Sequence, residues 1–292
     1  MKPAPFNYYR ATSLDDALNL MARLGPEAKL LAGGQSLMPA MNLRLATPSA
    51  LVDISRLPDL VGICHDGNEL RIGAATRYGD LLADPAVPQL ALLVAALPHV
   101  ANSAVRNRGT LGGSLCHADP SAETAGVLLA LGAELGIANH GGRRRVSMDA
   151  FLRGVYETAL EFGDILEAIY VPLPTPSWHW FGEHVRRRGD FAIAGLAACG
   201  EVSPDGRLSS IRFSFFGLGA RARLATATME RLEGEIIGEK LRKEVVDRLE
   251  DDLVSTDPEF GADSYRMALA VGLLDAALHA VEATKGKMEL TE

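Results

Sequence analysis

The sequence predicts an α+β protein in three consecutive parts: small α/β units over 1–55 and 56–175, then a C-terminal domain of a small antiparallel sheet and helices over 178–285. Three observations predict it. Helix-like and strand-like runs alternate through the first half. Pro172, Pro174 and Pro176 break the chain near 173–178. Beyond them, strand-like runs flank the turn Ser203-Pro-Asp-Gly206 and give way to three helix-like stretches. At 292 residues the chain can bury a large core and exceeds the ~100–200 residues of an ordinary domain.

In the first unit, Ser13 has the chemistry of a helix cap and Asp16 adds negative charge to the first turn. Leu14, Ala17, Leu18, Met21 and Leu24 follow at helical spacing, and Gly25-Pro26 ends the run. A strand is expected over 28–32, running into Gly33-Gly34, then a loop or short helix over 35–43 and a second strand over 50–54. The second unit opens with a connector at 58–62 and a half-buried strand over 69–74. Helices follow over 78–82 and 90–97, then a glycine run. Pro120 at a first helical position launches a helix over 122–131. Segments 134–138 and 143–147 flank the hairpin turn Asn139-His-Gly-Gly142, and 165–171 closes the unit as a strand. In the third part, strands over 180–187, 192–202 and 208–217 form a meander. Helices are expected over 222–233, 239–253 and 262–283, with a frayed tail over 285–292.

A formal charge of −8 without a long basic run excludes nucleic acid as the expected partner. No apolar run approaches the ~18–20 residues of a membrane span, and Met1-Lys-Pro-Ala-Pro-Phe6 lacks the apolar centre of a secretory signal, so a cytoplasmic protein is expected. Cys64, Cys116 and Cys199 are widely spaced and read as small apolar residues in a reducing compartment. They suit neither a disulfide framework, nor an iron–sulfur cluster, nor a zinc site within this chain. His99, His140, His179 and His184 show no metal-ligand spacing.

The chemistry concentrates in two glycine runs, Ala32-Gly-Gly-Gln-Ser36 and Thr110-Leu-Gly-Gly-Ser114. Adjacent glycines followed by serine let backbone amides approach an anion without Cβ obstruction, and two such cradles suggest a diphosphate held between them. Either pair alone reads more readily as a tight turn after a strand. Neither has the G-x-G-x-x-G spacing of a Rossmann nicotinamide site. On this reading, Gly113→Val empties the site while leaving the chain foldable. Asp119 reads as the cap of the helix that Pro120 begins.

These runs, with Arg106-Asn-Arg-Gly109 before the second, Phe151-Leu-Arg-Gly-Val-Tyr-Glu-Thr-Ala-Leu160 and Arg187-Arg-Gly-Asp-Phe-Ala192, closely resemble the FAD-binding medium subunit of molybdenum hydroxylases, the carbon monoxide dehydrogenase medium chain and xanthine dehydrogenase FAD-subunit family. The resemblance covers nearly the whole chain. It implies the FAD-binding fold of the PCMH/vanillyl-alcohol-oxidase-like type and non-covalent FAD. It further implies an electron-transfer role, from iron–sulfur clusters to an external acceptor. The partners it implies are a large molybdopterin-binding subunit and a small 2Fe–2S subunit, in a heterotrimer or a dimer of heterotrimers. A stand-alone FAD-dependent oxidase or reductase of the same superfamily fits the cradles as well, and a non-enzymatic adaptor with a vestigial nucleotide fold is a third reading. Against the oxidase, the chain has no obvious acid/base cluster for a substrate.

Carried over onto this sequence, the FAD set comprises Leu31, Ala32, Gly33, Gly34, Gln35, Ser36 and Leu37, then Thr110, Leu111, Gly112, Gly113 and Ser114, with Val100, His117, Glu123, Leu166 and Phe191. No residue of the chain is assigned a catalytic or metal-binding role. Ser36, Thr110 and Ser114 supply hydroxyl donors. Glu123 is implied to accept from sugar or ribityl hydroxyls, its alternative being a solvated surface carboxylate. His117 reads as a ribityl or water contact or a structural histidine. Val100 reads as packing on the flavin or as ordinary core. Leu166 is implied to act through its main chain, and Phe191 to cover a flavin face. Arg186 to Arg188 border the ring and form a candidate docking edge, or simply a charged strand edge. The chain departs from the xanthine dehydrogenase branch where that branch has a lysine near the flavin. Here Gly182-Glu183-His184 stands instead, with no lysine between Lys29 and Lys240.

Overall fold

In the computed structural model, which describes residues 2–254 and 264–288, contacts divide the chain into two units. Residues 2–87, 102–117 and 133–173 form unit 1; 88–101, 118–132 and 174–288 form unit 2. Segments 88–101 and 118–132, which lie inside the second α/β unit by linear order, therefore belong with the C-terminal part.

Unit 1 contains a three-stranded parallel sheet with Ala50–Asp53 between Asn7–Arg10 and Ala28–Leu31. The helix Leu14–Leu24 begins as its sequence predicts, the Ser13 hydroxyl accepting from the Asp16 amide at 3.0 Å, and Gly25 ends it with φ +79°. Its apolar face, Leu14, Ala17, Leu18 and Met21, packs with Ala28, Ala50 and Val52 of the sheet. A five-stranded antiparallel sheet follows, ordered Ile63–Asp66, Glu69–Gly73, Ile165–Pro172, Glu134–Asn139, Gly142–Ser147, with the expected hairpin at 139–142. Two of these strands, Asn7–Arg10 and Ile63–Asp66, are additions to the sequence reading. Both are mostly exposed edge strands, so neither shows the alternation that marks a half-buried strand.

Unit 2 is a four-stranded antiparallel sheet, Trp178–His184, Ala194–Val202, Leu208–Phe216 and Arg223–Leu224, covered on both faces. Ala194, Leu196, Ala198, Phe213 and Phe215 face the helices Glu239–Val254 and Ser264–Met288. The alternate residues face the helix Glu123–Ala130: Arg212 donates to the Leu129 carbonyl, and the Cys199 thiol to that of Ala130. A Cβ at Gly126 would lie 2.6 Å from the Phe216 ring and one at Gly195 2.0 Å from it, so two glycines make room for one phenyl group. This ties 118–132 to unit 2.

Several boundaries differ from expectation. The strand expected over 180–187 is Trp178–His184, which leaves Arg186, Arg187 and Arg188 exposed in a turn. The stretch 222–233 divides into the strand Arg223–Leu224 and the helix Thr226–Leu232. Pro120 does not open a helix: Asp119 accepts from the Ser121 amide at 2.9 Å and closes its own turn, and the helix starts at Glu123 with Ala122 as its cap residue. The last helix runs to Met288; the rest of the tail expected to fray, 289–292, lies outside the described residues. No helix among the described residues is long and apolar enough to cross a membrane.

Candidate functional site

The parallel sheet of unit 1 delivers Leu31 into the first glycine run at its carboxyl end, where α/β sheets present ligand sites. Gly34 takes φ +70°, a left-handed conformation that glycine adopts without Cβ strain. The chain then enters the short helix Leu37–Asn42, whose cap residue Ser36 makes no side-chain capping bond. Among the described residues, no acceptor receives the backbone amides from Gly33 to Leu37. The Ser36 hydroxyl is equally unengaged, while the Gln35 side-chain amide is fixed on the Gly33 carbonyl at 3.2 Å. A row of backbone donors without acceptors suits an anion with several oxygens.

The second run, readable from its sequence as a tight turn, takes another form. Leu111–His117 is a helix, and its leading amides are occupied. Leu111 donates to the Thr76 carbonyl, Gly112 to that of Ala74 and Ser114 to that of Thr110, while Gly113 donates to the Thr110 hydroxyl at 3.1 Å. Thr110 therefore caps this helix, and its hydroxyl oxygen is engaged in doing so. Among the described residues, the Ser114 hydroxyl has no partner, and it is a free polar group of this run. Gly112 is needed because a Cβ there would lie 2.5 Å from that of Ala74, and a Cβ at Gly113 would meet the Thr110 hydroxyl at 2.6 Å.

The two runs meet. A Cβ at Gly33 would lie 2.3 Å from the Arg108 carbonyl oxygen and 2.8 Å from the Gly109 Cα, and Ala32 reaches within 3.9 Å of the missing Gly113 Cβ. The second run thus backs the first, which carries the free donors. An open cleft of about 490 Å³ in the same unit is lined in part by Ser55, Arg56 and Arg77, beyond the carboxyl end of the central strand. The amide row and its hydroxyls suit FAD: unpaired amides for a diphosphate and hydroxyl donors beside them.

Unit 1 also carries His117 and Leu166. The His117 ring lies 4.8 Å from that of Tyr156. Leu166 pairs with Ile137 on one side of its strand, whereas the ladder with Glu69–Gly73 begins only at Ala168, past an irregularity. Between the two, the Glu167 carbonyl accepts from the Ala74 amide at 3.0 Å.

Val100, Glu123 and Phe191 lie in unit 2. Val100 is buried and Phe191 is 68% exposed. Glu123, at the first position of its helix, is 6% exposed, which removes the solvated-surface reading. Burial, with the charges of Glu183 and Asp119, pushes its carboxyl up to about 7.

A second buried acid escaped the sequence reading. Glu183 stands opposite Gly195 on the sheet face that holds Phe181 and Phe216, and its side chain is 3% exposed. One carboxyl oxygen lies 3.1 Å from His99 Nδ1; the other is buried without a partner. Burial pushes this carboxyl up to about 7, while burial and the nearby Arg188 hold His99 below its usual range. The pair lines a cavity of about 280 Å³ with Pro98, Val185, Arg188 and Gly189. Strand alternation was the available signal, since it places Glu183 on the same face as Phe181. Among the described residues, no group of three or more His, Cys, Asp and Glu is placed to hold a metal ion.

Residues 4–174 match the FAD binding domain in molybdopterin dehydrogenase, and 179–281 match the CO dehydrogenase flavoprotein C-terminal domain. The chain belongs to the FAD-binding medium-subunit family of molybdenum hydroxylases. It is 35% identical over 286 residues to the carbon monoxide dehydrogenase medium chain of Hydrogenophaga pseudoflava, covering 96% of this chain and 98% of that one. It is 40% identical over 224 residues to 6-hydroxypseudooxynicotine dehydrogenase complex subunit alpha of Paenarthrobacter nicotinovorans, covering 76% of each. The structure of quinoline 2-oxidoreductase from Pseudomonas putida 86 superposes with a TM-score of 0.88 at 32% identity, over 98% of this chain and 99% of that one. FAD is thus the cofactor of this oxidoreductase subunit, as the motifs implied, and the family and fold read from those motifs are borne out.

Proposed function

We propose that this chain is the electron-transfer flavoprotein of a heteromeric molybdenum hydroxylase in the cytoplasm, working beside a small 2Fe–2S subunit and a large molybdopterin-binding subunit in a heterotrimer or a dimer of heterotrimers. The observation that carries the FAD site is the row of unpaired amides from Gly33 to Leu37 in a chain of this family. These amides and the Ser36 and Ser114 hydroxyls would hold the diphosphate, and Gln35, fixed on Gly33, would stiffen the loop around it. His117 is assigned to a ribityl hydroxyl and the Leu166 main chain to the polar edge of the flavin ring. In unit 2, Val100 and Phe191 are assigned to ring contact and Glu123 to the sugar or ribityl hydroxyls. FAD, when bound, supplies two-step redox chemistry that joins single-electron clusters to an external acceptor. Arg186 to Arg188 offer a cationic edge to partner carboxylates.

The purified chain is expected to release its FAD on acid precipitation and to pass electrons from chemically reduced flavin to a dye. Alone, it is expected not to oxidise the organic substrate. Dye reduction that depends on that substrate, with no other subunit detectable, would overturn the proposal. Activity that appears only when molybdenum- and iron–sulfur-bearing subunits are added would support it.

A further inference from the structure

Unit 2 holds a buried carboxyl that the cofactor assignments leave unused. Glu183 lies on the strand Trp178–His184, and its side chain is 3% exposed. One carboxyl oxygen is 3.1 Å from His99 Nδ1, while the other is buried and, among the described residues, has no hydrogen-bond partner. An ionised carboxylate in that place leaves charge on one oxygen unanswered, so the site favours the neutral acid. The group is not sealed, however. The His99 side chain is 46% exposed, and its ring carries a second nitrogen by which protons reach the buried carboxyl from solvent.

Few charged or titratable groups face this carboxyl. The helix Ala91–Ala96, which packs on the strand, carries none, and the neighbouring strand sets Gly195 opposite Glu183. The helix Glu123–Ala130 brings Glu123, with Asp119 near it, and the segment after the strand brings Arg188, whose charge acts on His99. His179 stands on the same face beyond Phe181, whereas the helix Ser264–Met288 packs on the opposite face with Trp178 and Trp180.

Position ties the carboxyl to the cofactor. Glu183, His99, Arg188 and Gly189 line the cavity of about 280 Å³. Val100 directly follows His99, Phe191 stands two residues past Gly189, and the charge of Glu183 reaches Glu123. Val100, Phe191 and Glu123 are the residues of unit 2 assigned above to FAD. Electrons that enter a ring in this cavity place negative charge near a carboxyl with little solvent to screen it, which strengthens that carboxyl's hold on a proton.

We propose that Glu183 is the proton-holding residue of the flavin pocket: when the FAD ring takes up two electrons, the ionised Glu183 carboxylate takes one proton from solvent and becomes the neutral acid. This rests on the assignment of Val100, Glu123 and Phe191 to FAD. The electrons come from the iron–sulfur partner in the complex, or from an electrode in the test. The step has a pH window. With the ring oxidised, Glu183 titrates near 7, so well below that it is already neutral and takes up nothing; above it, carboxylate is available until pH passes the higher value that the reduced ring imposes.

The test uses the full chain with its FAD, as wild type, Glu183→Gln and Glu123→Gln. Protons taken up per bound FAD on mediated electrochemical reduction are counted with an indicator dye between about pH 5.5 and about pH 9, and the visible spectrum of the oxidised flavin is recorded over the same range. Above pH 7 the wild type should take up as much as about one proton more per FAD than Glu183→Gln, a difference that closes below about pH 6. The oxidised wild-type spectrum should shift as Glu183 ionises and match that of Glu183→Gln at pH 5.5. A purely structural role for Glu183 would alter FAD content and leave the proton count per bound FAD unchanged. Equal counts alongside a pH-dependent wild-type spectrum would overturn the proposal and leave the ring assignment standing. An extra proton that survives Glu183→Gln and disappears in Glu123→Gln would overturn it as well, in favour of the other acid. A wild-type spectrum constant over the whole range, an outcome that needs no variant, would put the ring away from this cavity and overturn the assignment of Val100, Glu123 and Phe191 together with the proposal.

Discussion

Gly33→Ala is expected to strip the protein of FAD. The single methyl group it adds would lie 2.3 Å from the Arg108 carbonyl oxygen and 2.8 Å from the Gly109 Cα, both main-chain atoms that cannot rotate aside. The loop from Ala32 to Leu37 has to pull away from Arg108 and Gly109, and the free amides move with it. Overpacking of this kind costs about 1–3 kcal/mol, which corresponds to roughly ten- to hundredfold in FAD affinity if the displacement falls on the cradle. Flavin absorbance per chain after gel filtration measures it, and full stoichiometric flavin in the variant would show that the loop does not hold the cofactor. Gly113→Ala should be milder, because its methyl group meets the Thr110 hydroxyl, which can turn away at the expense of its bond to the Gly113 amide. The structure thus moves the sensitive position from the second glycine run to the first.

Stability should fall as pH rises from about 5 to about 8. Glu123 and Glu183 both titrate near 7 in the folded protein, against 4.5 for an ordinary glutamate. Between those values the folded chain holds protons that the unfolded chain has released, so each step up in pH favours unfolding until both acids are ionised. The charge of Glu183 is one cause of the Glu123 shift, so the two acids titrate as a pair and the loss belongs to both together. His99 works in the opposite sense: its depressed value means that the folded chain takes up fewer protons there, so stability tied to His99 rises with pH through its range. Glu183→Gln keeps a hydrogen-bonding partner for His99 while removing one ionisation. Its denaturation midpoint should exceed that of the wild type at pH 8 and converge toward it at pH 5. Parallel pH profiles for wild type, Glu183→Gln and Glu123→Gln would rule out the buried acids as the cause.

The parts of the fold legible in the sequence are those where local chemistry and packing agree. Ser13 caps its helix, Gly25 ends it, Asn139 to Gly142 turn a hairpin, and the turn Ser203-Pro-Asp-Gly206 joins the strands Ala194–Val202 and Leu208–Phe216. Other parts were decided by contacts between distant segments. The second glycine run reads as a tight turn, yet it is a helix that Ala74 approaches so closely that only glycine can pass, and the amides there close onto Thr76 and Ala74. The free donors of the first run were legible as a glycine-serine motif, but their contrast with the occupied donors of the second was not. Glu183 was visible only as the absence of a lysine. Strand alternation sets it on the face of Phe181, but how deeply it is buried follows from Gly195 opposite it and from the distant His99.

The assignment of 88–101 and 118–132 to unit 2 has a consequence for any attempt to split the polypeptide. The seam suggested by the two family matches, between 174 and 179, is a boundary in the order of residues rather than in the packing. A piece ending at Leu173 retains Glu123–Ala130, buried along its whole length in the intact chain, but lacks the Phe216 ring that fills the space at Gly126. The complementary piece keeps the sheet of unit 2 and loses the helix that covers one face of it. Two such halves would emerge from the ribosome with matching apolar wounds, soluble only after finding each other. Modules of this family exchanged by recombination should therefore travel as the whole chain.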